Sequence, residues 1–186
     1  MKIIAIGHQK EVGKDEFVKY CIDHIRSKGR KLNVQRRGFA DPLYDICYQL
    51  YGWAGFKTRQ HYVDFPKNKA TMLSHGKTVR ETLIEIGQHL RKYDNDIWVN
   101  AALKGMTCDV MFMSDLRFPH EFLHCQANGG FMVKVTRPGL PEPTDEADTA
   151  LNGWDSRWDI TIRNSACLNA LYKQAVWFVD NHILTF

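Results

Sequence analysis

A lysine, a pair of aspartates and a set of arginines are the side chains of this protein whose types and spacing suit chemistry. The chain opens MKIIAIGHQKEVGKD, which puts Gly7, His8, Gln9, Lys10, Val12, Gly13 and Lys14 in one short polar loop. A glycine-bounded loop ending in Gly-Lys offers successive backbone N–H groups and a mobile ammonium to phosphate oxygens. Its spelling departs from the usual G-x-x-x-x-G-K-[ST]. Gly7 to Gly13 is one residue longer, or His8 stands at the first glycine position, and Asp15 replaces the magnesium-binding hydroxyl. Further along, Asp115 and Arg117 follow an apolar run, and Arg80 and Arg91 recur at helical spacing.

Such chemistry needs a strand before the loop and a helix after it. Lys2 to Ile6 reads as a buried strand, and Phe17, Val18, Cys21, Ile22 and Ile25 read as the apolar face of a helix that begins near Lys14. Asp109 to Ser114 (DVMFMS) reads as a central strand. An aspartate just past the carboxyl end of such a strand lies on the side of a parallel sheet where ligands collect, so Asp115 is a candidate magnesium ligand. Thr78 to Tyr93 is the clearest helix: Val79, Leu83, Ile86 and Leu90 form its buried stripe. Arg80, Gly87 and Arg91 fall on an adjoining face that a flat or anionic ligand can approach closely.

The other elements follow from the same signals. Leu32 to Phe39 is a second strand, and Asp41 is the expected N-cap of a helix with Pro42 in its first turn and Gly52 at its end. Helices are expected over Asp94–Lys104, Pro119–Asn128 and Ala166–His182, and strands over Phe131–Thr136 and Asp159–Ile162. Trp53 to Lys77 is polar, aromatic and irregular and reads as a substrate-side insertion. Residues 139–158, acidic and rich in proline and turn residues, read as a lid-like loop. Strands alternating with helices predict an α/β fold, a parallel sheet covered by helices with right-handed crossovers.

With 186 residues, 44% of them hydrophobic and 25% charged, the chain is expected to form a single domain with a substantial core. A net charge of +4 suits an anionic ligand but falls short of a dense nucleic-acid footprint. The five scattered cysteines lack C-x-x-C spacing and read as reduced, mostly buried residues of a cytoplasmic protein. No signal peptide or membrane span is expected. His61, His75, His89, His120 and His124 share no metal-ligand spacing. Trp98, Trp154, Trp158 and Trp177 read as packing residues, and Arg36-Arg37 as a solvated strand end.

Taken in order, GHQKEVGKD, FADPL, VRETLIEIGQHL with DNDIWVNAAL, SDLRFPHE, GGFMVKVTRPG and WDITIRNSACLNAL resemble the bacteriophage deoxynucleoside monophosphate kinase family, from Ile3 to about Ala175. The resemblance implies a three-layer P-loop kinase fold that moves the γ-phosphoryl group of ATP to the 5′-phosphate of a deoxynucleotide with Mg2+. It implies that Gly7 to Lys14 cradles the ATP phosphates, with Lys14 bridging to the transferred group. The family tolerates aspartate at position 15 but usually carries a hydroxyl at position 16, where this chain has Glu16. Magnesium would therefore be held by Asp115 first and Asp15 second. Asp41 would lie near the acceptor nucleotide; the family often continues with lysine where this chain has Tyr44. Arg80, Gln88 and Arg91 would face the acceptor monophosphate, Arg117 and Arg137 would surround the phosphates, and Asn164 would border the ATP base.

In that chemistry the protein supplies in-line positioning and charge neutralisation, and an ionised 5′-phosphate needs no strong general base. Two other readings stand beside it. One is a P-loop kinase acting on a hydroxymethylated base within DNA, in which Asp41 would accept the hydroxyl proton. The other, motivated by His8 and Glu16, is a nonenzymatic nucleotide-binding module. Base preference and oligomeric state, including a homodimer, stay open at this stage.

Overall fold

Hydrophobic alternation resolves into a regular order of elements. β1 (Lys2–Gly7), α1 (Lys14–Ser27) and β2 (Val34–Arg37) come first, then α2 (Asp41–Tyr51), α3 (Arg59–Val63), α4 (Val79–Arg91) and α5 (Ile97–Leu103). β3 (Val110–Leu116), α6 (Pro119–Ala127), β4 (Phe131–Thr136), α7 (Glu146–Thr149), β5 (Ile160–Arg163) and α8 (Leu168–His182) complete the chain. The computed structural model describes residues 1–52, 56–63, 68–165 and 167–185. They fall into two compact units, Met1–Gly38 with Gly105–Phe186, and Phe39–Lys104.

In the first unit the five strands form one all-parallel sheet in the order β2-β3-β1-β4-β5. Ile4 and Ile6 of β1, Phe112 of β3, and Val133 and Val135 of β4 meet Phe17, Val18 and Cys21 of α1 and Ala175, Phe178 and Val179 of α8 in the main core. On the opposite face α6 packs against β1 and β4 and buries Phe122 and Cys125. The result is the helix-covered parallel α/β sheet expected from the alternation of strands and helices, and it is consistent with the three-layer P-loop kinase-like fold that the resemblance implies. Gly7 is a glycine because of close packing: an added Cβ would stand 2.6 Å from the Leu116 carbonyl and 2.7 Å from the Trp158 ring.

The pairing of β1 with β3 is regular from Lys2↔Val110 to Ala5↔Met113, then jumps to Gly7↔Leu116. One extra residue of β3 is accommodated there as a bulge, a device that re-aims side chains at strand ends. The strand runs two residues beyond the expected Ser114, so Asp115 lies within it rather than after it.

The second unit is helical, with Leu43, Cys47, Phe56, Tyr62, Leu73, Val79, Leu83 and Trp98 at its centre. α4 begins with a reciprocal capping box, Glu81 N–H donating to Thr78 Oγ1 and Thr78 N–H to Glu81 Oε2. Several expectations change here. Ala40, not Asp41, caps α2, and Asp41 is the first helical residue. Gly87 is not an open surface between arginines: an added Cβ would lie 3.0 Å from Leu43, and its carbonyl accepts from Trp98 Nε1 at 3.1 Å. The 53–77 segment contains α3 and a 3-10 turn at Asn68–Ala70, while Trp53–Gly55 and Asp64–Lys67 lie outside the described residues.

Elsewhere, the 139–158 segment is not all loop, for it holds α7, a 3-10 turn at Asp155–Arg157, and the buried Asp148, Leu151 and Trp158. β2 is shorter than expected, and α5 begins three residues later. The start of the last helix was expected at Ala166, which is outside the described residues; α8 is described from Leu168. Trp177 is 48% exposed on α8, so it is not a core residue, whereas Trp98 and Trp158 are buried. The five cysteines are free, four of them buried. Among the described residues no helix is long and apolar enough to cross a membrane.

Phe178 is fully buried, with its ring 5.6 Å from that of Phe17 and 5.9 Å from that of Phe131. Replacing it by alanine opens a cavity where α1, α8 and the sheet meet. Phe178→Ala is expected to cost about 3–5 kcal/mol of unfolding free energy, measured by urea titration.

Candidate functional site

β1 runs into α1 on the face shared with α8, whereas β3 runs into α6 on the opposite face. Neighbouring parallel strands whose connections part in this way leave a crevice outside their carboxyl ends. A cavity of about 750 Å3 lies there, and it is built entirely from the first unit. The loop after β1 contributes Lys10, Glu11, Gly13 and Lys14, and the start of α1 contributes Asp15 and Glu16. The end of β3 brings Ser114, Asp115 and Arg117, and the end of β4 brings Arg137. A regular strand sends consecutive side chains to opposite faces. Here the bulge coincides with Ser114 and Asp115 both lining one cavity.

The loop is tightly wound. His8 (φ 89°), Glu11 (φ 62°) and Gly13 (φ 96°) are left-handed, a conformation that costs a non-glycine residue about 1–2 kcal/mol. Several contacts hold it. The Lys14 ammonium donates to the His8 carbonyl at 3.0 Å and to the Gln9 carbonyl. Asn164, buried at the end of β5, donates its side-chain amide to the Val12 carbonyl at 2.9 Å, and stands 2.6 Å from where a Cβ on Gly13 would be. The backbone N–H of Lys10 donates to Asp148 Oδ1 at 2.9 Å. Beneath this wall the first amides of α1 have no intrahelical acceptor, so they add positive potential at the cavity floor.

Charge in the cavity is mixed. Lys14 is only 7% exposed, and burial, reinforced by the Arg117 charge, pushes its pKa down from 10.5 to about 8 against the pull of Asp148, Asp15 and Asp115. Burial with Lys134 nearby likewise keeps His8 below its ordinary value, so its imidazole is neutral at pH 7. Asp15 pairs with Arg36 Nη2 at 2.5 Å, and Arg36 Nε donates to Ser114 Oγ at 3.0 Å. Arg36 is exposed at the end of β2, as a strand-end arginine is expected to be, and it also bridges the start of α1 and the end of β3. Asp115 borders Gly38, where a Cβ would come within 2.9 Å of its Oδ2.

The residues anticipated for one site divide between the units. Lys10, Gly13, Lys14, Asp15, Glu16, Asp115, Arg117 and Arg137 share the cavity, while Gly7, His8, Gln9, Val12 and Asn164 form or brace the loop behind it. Asp41, Arg80, Gln88 and Arg91 belong to the second unit. There Arg59 spans two carboxylates, Asp41 at 2.7 Å and Asp45 at 2.5 Å. Lys69 lies 4.7 Å from the centre of the Tyr44 ring and 3.2 Å from its hydroxyl, which places an ammonium beside the tyrosine that replaces the expected lysine. Arg80 and Gln88 are exposed on α4 and Arg91 is half-buried. Among the described residues no group of three or more His, Cys, Asp or Glu side chains is arranged to hold a metal by itself.

The sequence does not place Arg36, Ser114 or Asp148 at the site. The one signal for Asp148 was its spacing to Leu151, three residues apart and both buried, in a stretch otherwise polar.

No family model matches the chain. A curated protein of Acanthamoeba polyphaga mimivirus, named "Putative deoxynucleotide monophosphate kinase", is 26% identical over 196 residues. The alignment covers 97% of this chain and 97% of that protein. The similarity therefore runs through the loop, both units and α8 rather than through one motif.

Lys14 gives two pH responses of opposite sign. Above about 8 the folded chain loses the ammonium, so anion binding at the cavity weakens. The unfolded chain keeps that proton to about 10.5, so between these values Lys14 makes unfolding free energy rise with pH. Calorimetric titration with inorganic tripolyphosphate is expected to show affinity falling as pH rises through this window, and the fall should vanish in Lys14→Met. Over the same window the stability of the parent relative to Lys14→Met should increase. An affinity that stays flat across the window would remove Lys14 as the anion's partner.

Proposed function

We propose that this protein is a nucleoside monophosphate kinase that transfers the γ-phosphoryl group of ATP to deoxynucleoside 5′-monophosphates. The observation that carries this reading is the buried Lys14 at the start of α1, in a loop of left-handed residues facing the cavity between the ends of β1 and β3. A lysine so placed, with helix-start amides around it, suits a polyphosphate. The mimivirus similarity supports a nucleotide as the bearer of that phosphate.

In this reading the loop from Gly7 to Lys14 receives the donor phosphates. Lys14, Arg117 and Arg137 neutralise charge that develops on the transferred group. Arg80, Gln88 and Arg91 bind the acceptor phosphate, and Asp41, held by Arg59, orients the acceptor. No residue need act as a strong base, because the attacking phosphate oxygen is already ionised near neutral pH.

Magnesium fits the donor set of the cavity. Mg2+ uses hard oxygen ligands and commonly takes only one or two carboxylates together with substrate phosphates and water. Asp115, Asp15, Glu16 and the Ser114 hydroxyl provide such oxygens. Asp115, at the end of β3 and lining the cavity, is the first choice and Asp15 the second. When bound, the ion supplies charge neutralisation between donor phosphates.

Purified protein with ATP and Mg2+ should be offered each deoxynucleoside monophosphate in turn, then duplex DNA with normal and hydroxymethylated bases. Nucleoside diphosphate formation is expected. Label entering DNA, or ATP binding without any transfer, would overturn the assignment. Lys14→Ala is expected to lower turnover by about a hundredfold or more while the circular dichroism spectrum is unchanged. Undiminished turnover in that variant would refute the role given to the loop.

A further inference from the structure

Asp148 is the one buried carboxylate in the acidic 139–158 segment, with no solvent exposure of its side chain. Its Oδ1 accepts from Arg117 Nη1 at 2.8 Å and from the backbone N–H of Lys10 at 2.9 Å. Its Oδ2 has no hydrogen-bond partner among the described residues; the Lys10 ammonium lies 3.9 Å from it and itself pairs with Asp145 at 2.9 Å. Both of its donors belong to residues that line the large cavity, and Asp148 itself does not line it. It stands behind that wall, where it lines a smaller cavity of about 160 Å3 together with Lys10 and Thr144.

We infer that Asp148 is a positioning residue of the phosphoryl-transfer site, holding the Arg117 guanidinium and the Lys10 segment of the loop where they meet the phosphates. The inference rests on the kinase reading above and adds to it a residue that the reading does not require. Two physical points carry it. First, an ionised carboxylate taken out of water with one oxygen unsatisfied is a poor stabiliser, since an apolar residue of similar volume serves a core at least as well. Second, its contacts tie two separate parts of the cavity wall to each other. Arg117 lies just beyond the end of β3, and Lys10 sits between the left-handed His8 and Glu11. A charge-assisted bond to each removes side-chain and loop freedom before any ligand arrives, and positioning of this kind lowers the barrier rather than tightening ground-state binding.

The test is a double-mutant cycle with Asp148→Asn, which keeps the size and one acceptor but removes the charge, and Arg117→Ala. Steady-state kcat and KM are measured for ATP and for the acceptor, with thermal midpoints alongside. Asp148→Asn is expected to lower kcat about tenfold or more, with KM for ATP changed by less than about threefold and a nearly unchanged midpoint. In the Arg117→Ala background the same substitution should cost less than about threefold, because its main target is gone. Equal losses in the two backgrounds, or a lowered midpoint with unchanged kcat, overturn the inference while leaving the kinase reading intact. If Asp148→Asn fails to fold, Asp148→Ser is the second variant, and failure of both assigns Asp148 a structural role and overturns the inference. Absence of transfer by the unsubstituted protein to any nucleoside monophosphate overturns the kinase reading, and this inference with it.

Discussion

Keeping an ammonium almost out of water is the constraint around which the first unit is built. Burial alone destabilises the charged form of Lys14, as its lowered pKa records, so the surrounding chain has to supply acceptors. They come from the loop's own carbonyls at His8 and Gln9. Turning these carbonyls inward requires the loop to curl, which forces His8 and Glu11 into left-handed backbone that neither residue prefers. Strain of that kind persists only where neighbours over-determine it. Asn164 from the end of β5 and Asp148 from α7 do so, each by a bond to a backbone group of the loop. Both come from the β4–β5 side of β1, while on its other side the His8 N–H donates to the Leu116 carbonyl of β3 at 3.3 Å, so the place of β1 between β3 and β4 lets both neighbours hold one loop.

The bulge at the end of β3 answers a second constraint. A cavity at the boundary between β1 and β3 needs several polar side chains from a strand whose earlier residues are all buried and apolar. Adding a residue to β3 breaks the alternation only where the core has ended. Ser114 and Asp115 then share the cavity without placing a carboxylate among Phe112 and Met113. Arg36 completes this edge by joining Ser114 to Asp15, so the rim of the site ties β2, β3 and α1 together.

How much of this was legible in the sequence depends on the range of the interaction. The five strands, α1, α4 and α8 announce themselves by apolar runs or by 3.6-residue periodicity, and the loop by its glycines. That the loop of Lys14 and Asp115 would meet on one side of the sheet also followed, since the loop follows one buried parallel strand and Asp115 stands at the end of another. Short helices such as α3 and α7 are below the length at which periodicity can be read. Gly87 was misread because its neighbour, Leu43, lies on another helix, and helical spacing alone cannot tell a packed glycine from an open one. Arg36 and Asp148 were missed for a related reason. Arg36 meets Ser114 across 78 residues of sequence, and Asp148 meets Lys10 across 138, and no local pattern encodes such pairs.

The balance of charge bears on what the cavity is suited to receive. Its cations, Lys10, Lys14, Arg117 and Arg137, are matched in number by Glu11, Asp15, Glu16 and Asp115. A simple anion hole would hold the first group without the second, because carboxylates at short range repel a polyphosphate strongly when water is excluded. Part of each set is already engaged within the protein, Asp15 by Arg36 and Arg117 by Asp148. Lys14, the helix-start amides and Asp115 meet at this one cavity. A ligand that presents negative oxygens together with a divalent cation satisfies both kinds of group at once. A bare polyanion satisfies only one. In the kinase reading proposed above, ATP with its magnesium is such a ligand, and it would sit at the same β1–β3 boundary where the buried lysine stands.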